Sequence, residues 1–175
     1  MLIGITGKIG SGKSRIAKHI ETKYGYHRLS TSDLLKSILK SKDIEQSREN
    51  LQDIGDNVIK MIGGSGFMAI MFVYLPQGNY QIDSIRHLEA LQYMKKKYGH
   101  DFVNIFVDTT EVTRYSRTET RYESFEHFKK IDSANTEKEI ELIKSQSDFI
   151  INNENSFPEV LTQIDVIYEK ISQPK

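Results

Sequence analysis

At 175 residues, with 24 basic side chains against 24 acidic ones, the chain can bury one ordinary core and carries no formal net charge. The balance argues against long-range attraction to nucleic acid or an acidic membrane surface, and the absence of cysteine excludes disulfides, thiolate metal sites and thiol catalysis. No stretch approaches the roughly 18 apolar residues of a membrane span, so a single cytoplasmic domain over residues 1–175 is expected, with small molecules rather than polymers as partners.

The chain opens with an apolar, β-branched run, Leu2 to Thr6, which reads as a strand and enters Gly7-Lys8-Ile9-Gly10-Ser11-Gly12-Lys13-Ser14. This satisfies the G-x-x-x-x-G-K-[ST] spacing of a phosphate-binding loop, and it opens a helix whose apolar face is Ile16, Ala17 and Ile20. Polyphosphate needs several N–H donors converging on one concavity, and glycines let the backbone turn tightly enough to supply them. Residues Gly7, Lys8, Gly10, Ser11, Gly12, Lys13 and Ser14 are therefore expected to cradle the phosphates of Mg-ATP. The Lys13 ammonium reaches the outer phosphates and the Ser14 hydroxyl ligates Mg²⁺. Dinucleotide binding is disfavoured, because after Gly10 and Gly12 the third glycine of G-x-G-x-x-G is replaced by Arg15.

Gly25 marks a helix end, and Tyr26 to Leu29 reads as a second strand. Ser30 to Asp33 then offers N-cap residues to a helix carrying Leu34, Leu35, Ile38 and Leu39, which sets Asp33 beside a strand's carboxyl end, where α/β sheets keep their ligands. From Ser47 a long amphipathic helix is expected through Leu51, Ile54 and Val58, ending at Gly63-Gly64-Ser65-Gly66, which reads as a helix stop and linker. Phe67 to Leu75 is nearly all apolar and reads as a helix packed under the acceptor site. Tyr80 to Asp83 is a short strand ending in a carboxylate that is placed to hold Mg²⁺ through water or to accept a proton.

Phe102 to Val107 reads as a buried strand. Arg114, Arg117 and Arg121 follow at i, i+3 and i+7, the spacing of one helix face, where an anion such as phosphate would relieve their mutual repulsion. Ser124 to Ser145 is polar and reads as a mobile surface helix-loop-helix, Phe149 to Asn152 as the last strand, and Phe157 to Ile171 as the closing helix. Strands alternating with helices predict a parallel sheet covered on both faces by helices, a three-layer α/β/α sandwich.

Taken together, the Gly7 to Ser14 loop, Asp33, the Ser47 to Gly55 segment, Ile82-Asp83-Ser84-Ile85-Arg86-His87-Leu88-Glu89 and Asp148-Phe149-Ile150-Ile151-Asn152-Asn153 resemble P-loop small-molecule kinases. The Asp-Ser-Ile-Arg-His segment looks most like deoxynucleoside monophosphate kinase-like proteins, and the closing Asp-Phe-Ile-Ile-Asn-Asn like dephospho-CoA kinases. The resemblance implies a P-loop NTPase fold of the nucleoside monophosphate kinase type with a helical lid over about 114–140. It also implies that Lys13 and Ser14 bind phosphate and Mg²⁺, that Asp33 approaches the acceptor, that Arg114, Arg117 and Arg121 are lid arginines, and that Asn152 and Asn153 lie by the adenine. The chain departs from the relatives before Asp132, where they often carry another arginine.

The expected catalytic set is thus Lys13, Asp33, Asp83, Arg114 and Arg117, with Asp33, Arg48 and Arg86 binding the acceptor and Ser14 and Asp83 holding the metal, the latter through water. Mg-ATP as donor and a (deoxy)nucleoside monophosphate as acceptor follow from that reading. Dephospho-CoA is the alternative acceptor, and an acceptor-free nucleotide switch or NTPase the alternative of another class.

Overall fold

Five strands, β1 (Leu2–Thr6), β2 (His27–Ser30), β3 (Tyr80–Asp83), β4 (Phe102–Asp108) and β5 (Phe149–Asn152), pair in the order β2-β3-β1-β4-β5. Every pairing is parallel. The coordinates are a computed structural model that describes residues 1–73, 75–133 and 139–173. Described helices are α1 (Lys13–Tyr24), α2 (Thr31–Ser41), α3 (Arg48–Met71), α4 (Leu88–Tyr98), α5 (Glu111–Ser116), α6 (Phe125–Asp132), α7 (Ile140–Ser145) and α8 (Phe157–Ser172). Among the described residues no helix is long and apolar enough to cross a membrane.

β1 alternates its side chains between two cores, as a strand buried on both faces must. Ile3 and Ile5 pack with Ile16, Ala17 and Ile20 of α1 and with Val160, Ile164 and Ile167 of α8. Leu2 joins the opposite core with Phe67, Met68, Leu91, Met94 and Ile143 from α3, α4 and α7. The result is the expected three-layer arrangement. Because chain order reverses at β1, the strand ends carrying Ile5, Ser30 and Asp83 stand side by side and open a crevice above the sheet.

Three expectations need correction. The helix does break at Gly63 (φ 70, ψ 169), but Gly64 to Gly66 is no linker: a second half-helix starts there at once, capped by Glu89, whose carboxylate accepts from Gly64 N at 2.9 Å and Ser65 Oγ at 2.6 Å. The apolar stretch that follows is helical to Met71, as expected, and Tyr74 lies outside the described residues.

The three arginines do not share a helix face. α5 ends at Ser116, where bonding tightens to i+3 (Thr118 N to Tyr115 O, 2.8 Å) and the Thr118 hydroxyl takes the Arg114 carbonyl, so Arg121 falls in a separate 3₁₀ turn. Finally, the segment after Ser124 is anchored rather than loosely held. Phe128 and Ile131 of α6 bury themselves against Ile9 of the phosphate loop, and Ile140 and Ile143 of α7 are fully buried. The part of the expected lid at 134–138 lies outside the described residues.

Candidate active site

Between β1 and α1 the loop of residues 7–12 folds back on itself. Gly10 and Gly12 take φ of +77 and +93, a region L side chains avoid. A Cβ on Gly10 would stand 2.7 Å from the Arg114 carbonyl oxygen, and one on Gly12 would strike the Asn153 amide. Gly12 caps α1 without a side-chain bond, which leaves first-turn N–H groups pointing at the loop's concavity. The Lys13 Nζ bends into that concavity and donates to Gly7 O (2.6 Å) and Lys8 O (2.7 Å), spanning the loop from within.

Two buried devices hold the loop from behind. The Asn153 amide donates to Ser11 O at 2.7 Å. Arg114, 2 % exposed, donates to Ile9 O at 3.0 Å and forms a two-pronged pair with Asp132 at 2.5 and 2.8 Å. Arg114 and Asn153 thus brace the loop with buried side chains. Asn152 lies on the outer side, where its Oδ1 accepts from Glu154 N.

In front of the loop lies a cleft of about 330 Å³ that brings together Lys13, Ser14, Asp33, Arg48, Asp83, Arg86 and Arg121. At one end of the cleft the Ser14 hydroxyl lies 3.4 Å from Asp83 Oδ2. Two hard oxygens from a strand end and a helix start are the donor set Mg²⁺ takes when phosphate and water complete its shell. Among the described residues no group of three or more His, Cys, Asp or Glu side chains could hold a metal ion by itself.

Asp33 sits in the first turn of α2, under a Ser30 N-cap, and pairs with Lys36 at 3.0 Å. The Lys36 bond is the main reason its carboxyl lies below the usual range. Beyond Arg48 and Arg86 the cleft continues into a recess walled by Leu35, Val58, Ile59, Phe67, Met68 and Ala90. Both arginines line cleft and recess alike.

Some expected site residues point elsewhere. Lys8 turns behind the loop to Glu141, 3.1 Å away. Arg117, at the C-cap of α5, is exposed, and its charge acts on Glu154. That carboxyl is held below its usual range chiefly by the Thr110 N–H. Sequence reasoning missed Arg28, whose Nε (3.1 Å) and Nη2 (2.5 Å) both donate to Asp83 Oδ2, because its partner is on the neighbouring strand. It also missed Tyr122, which joins the cleft wall. α6 bridges to α3 through His127 Nε2 and Glu49 Oε1 (3.1 Å) and through Gln52 Nε2 and Ile131 O (3.2 Å), so the Arg121 turn is held at the cleft's edge from both sides.

A family model described as an AAA domain matches residues 6–132, which includes the loop, the cleft and the Arg114–Asp132 brace. A UPF0200 protein from Methanocaldococcus jannaschii is 28 % identical over 98 % of this chain and 90 % of its own. A dephospho-CoA kinase from Borreliella burgdorferi is 40 % identical, but over only 26 % of this chain. Among solved structures, a Thermus thermophilus protein superposes with a TM-score of 0.67 over 99 % of this chain and 98 % of its own, at 16 % identity. A shikimate kinase from Acinetobacter baumannii, solved with shikimate, gives 0.64 over 98 % and 95 % at 9 % identity. The chain has the fold of P-loop small-molecule kinases.

Proposed function

The chain belongs to the AAA domain family, and from that premise we propose that it is a cytoplasmic P-loop phosphotransferase moving the γ-phosphate of Mg-ATP to a (deoxy)nucleoside monophosphate. The observation that carries this reading is the pair Arg48 and Arg86 at the junction of the phosphate cleft and the apolar recess. A monophosphate acceptor needs exactly such a division: cations for its phosphate beside the donor, and an apolar wall for a ring behind it.

The Lys13 ammonium would leave the loop carbonyls, donate to a bound phosphate instead and neutralise charge as it develops in transfer. Ser14 and Asp83 would hold Mg²⁺, which when bound would supply Lewis-acid neutralisation of the donor's phosphate charge. Arg121, on the turn over the cleft, would meet the transferring group, and Arg117 the outer side of the donor. With α6 tied to α3, that turn would help exclude water.

The state of the carboxylates favours a monophosphate over dephospho-CoA, which the local likeness to a dephospho-CoA kinase supports as the second reading. A ribose hydroxyl needs a general base, but Asp33 is made less basic by Lys36, and Asp83 Oδ2 is engaged by Arg28 and Ser14. A phosphomonoester is already an oxyanion and needs no proton removed. A nucleotide switch has no use for the second pocket.

The test is calorimetric titration of nucleoside monophosphates into protein holding Mg²⁺ and a non-hydrolysable ATP analogue. Saturable binding that Arg86→Met weakens by about tenfold or more, the worth of one lost charge-assisted contact, supports the assignment. No binding of any monophosphate, with dephospho-CoA binding instead, overturns it.

A further inference from the structure

Asp83 is 6 % exposed and ends the strand beside the phosphate loop. One of its oxygens, Oδ2, receives three donors: Arg28 Nε at 3.1 Å, Arg28 Nη2 at 2.5 Å and Ser14 Oγ at 3.4 Å. Arg28 comes from the edge strand β2, two residues before the position that registers with Asp83, so the pleat puts it on the face from which it can reach across. Its side chain is 32 % exposed, on the cleft wall, while its target is buried. A partly exposed cation therefore rests on a buried carboxylate oxygen.

The oxygen Arg28 holds is the one nearest the Ser14 hydroxyl, and a divalent ion shared by Ser14 and Asp83 draws on that same oxygen. Guanidinium and metal carry like charge and compete for one site. We propose that Arg28 is a resident counter-cation of the metal site, which must leave Asp83 Oδ2 when nucleotide brings the metal in. The inference rests on the phosphate-loop reading above but not on the identity of the acceptor. Arg28 also lines the outer groove with Glu21 and Asp33, carboxylates that can receive the displaced guanidinium. The device keeps a buried carboxylate compensated in the absence of ligand, and it sets how strongly nucleotide binding depends on metal.

A purely structural ion pair, one that only fastens β2 to β3, would also lower stability when cut. Metal coupling separates the two roles. ADP is titrated calorimetrically into wild type, Arg28→Lys and Arg28→Gln, each in excess EDTA and in excess Mg²⁺, and the ratio of the two dissociation constants is compared.

Removing the competitor leaves Asp83 charged and open, so ADP alone is repelled more and Mg-ADP is held better. The Mg²⁺ enhancement should rise roughly tenfold in Arg28→Gln, about one charge-assisted contact, with Arg28→Lys between the two. Equal enhancement in all three, even with a lowered melting temperature in the variants, overturns the proposal while leaving the phosphate loop intact. Failure of wild type to bind ADP in either medium overturns both.

Discussion

Asp132→Asn keeps the shape of the side chain and removes its charge, so it isolates what the Arg114 pair contributes. The guanidinium keeps Ile9 O at 3.0 Å but loses its bonds to a carboxylate at 2.5 and 2.8 Å. Phe128, its ring centroid 5.4 Å from the guanidinium carbon, offers a cation–π contact of about 1 kcal/mol, too little to replace the carboxylate. Breaking a buried pair from one side costs about 3–5 kcal/mol, and because Asn still offers an amide oxygen the lower figure, about 3 kcal/mol, is expected. For a domain of this size each kcal/mol moves the melting temperature by about 2–4 °C, so a fall of roughly 6–12 °C should appear in a circular dichroism melt. The double variant Arg114→Met/Asp132→Leu removes both charges and should lose less than the single change. A cost under about 1 kcal/mol for Asp132→Asn, or a double variant less stable than the single one, would refute the argument.

Three further outcomes follow from the site. Gly10→Ala forces a left-handed φ on a residue with a Cβ, costing about 1–2 kcal/mol, and pushes that Cβ into the Arg114 carbonyl; ADP binding by calorimetry should be lost, and unchanged affinity would contradict the loop geometry. Lys13→Ala should keep the fold, with a melt close to wild type, while phosphoryl transfer drops by a factor of about 10² or more; turnover at the wild-type rate would remove Lys13 from the mechanism. Glu89 has its carboxyl held below the ordinary range, first by the Ser65 hydroxyl and then by the Gly64 N–H. A folded pKa below the unfolded one makes its contribution full above the ordinary carboxyl range and lost as pH falls through the lowered folded value. The urea-midpoint difference between wild type and Glu89→Gln should shrink over that window, and a pH-independent difference would show that the charge is immaterial.

Local pattern carried the sheet and the phosphate loop because both are short-range physics. Leu2 to Ile5 carries no polar side chain and the whole strand to Thr6 is buried, as a strand covered on both faces requires, and the loop's glycines stand where left-handed φ is needed. What escaped was set by partners far along the chain. Gly63 to Gly66 reads as a stop because nothing nearby says that Glu89, some 25 residues on, caps the second half of the helix. The arginines at i, i+3 and i+7 share a face only on an unbroken helix, and whether Arg114 is a lid cation or a buried brace is decided by Asp132 and by the close approach of Gly10. Arg28 could not be assigned until the β2–β3 register was known.

The proposed reaction passes a phosphoryl group from ATP to a monophosphate across the cleft. Its most direct test is transfer of labelled γ-phosphate from Mg-ATP, followed by separation of products, with every common ribo- and deoxyribonucleoside monophosphate and dephospho-CoA offered one at a time. Label should appear in a nucleoside diphosphate, dependent on the monophosphate supplied and abolished in Lys13→Ala. Label appearing only in inorganic phosphate regardless of acceptor, or only in the product of dephospho-CoA, would contradict it.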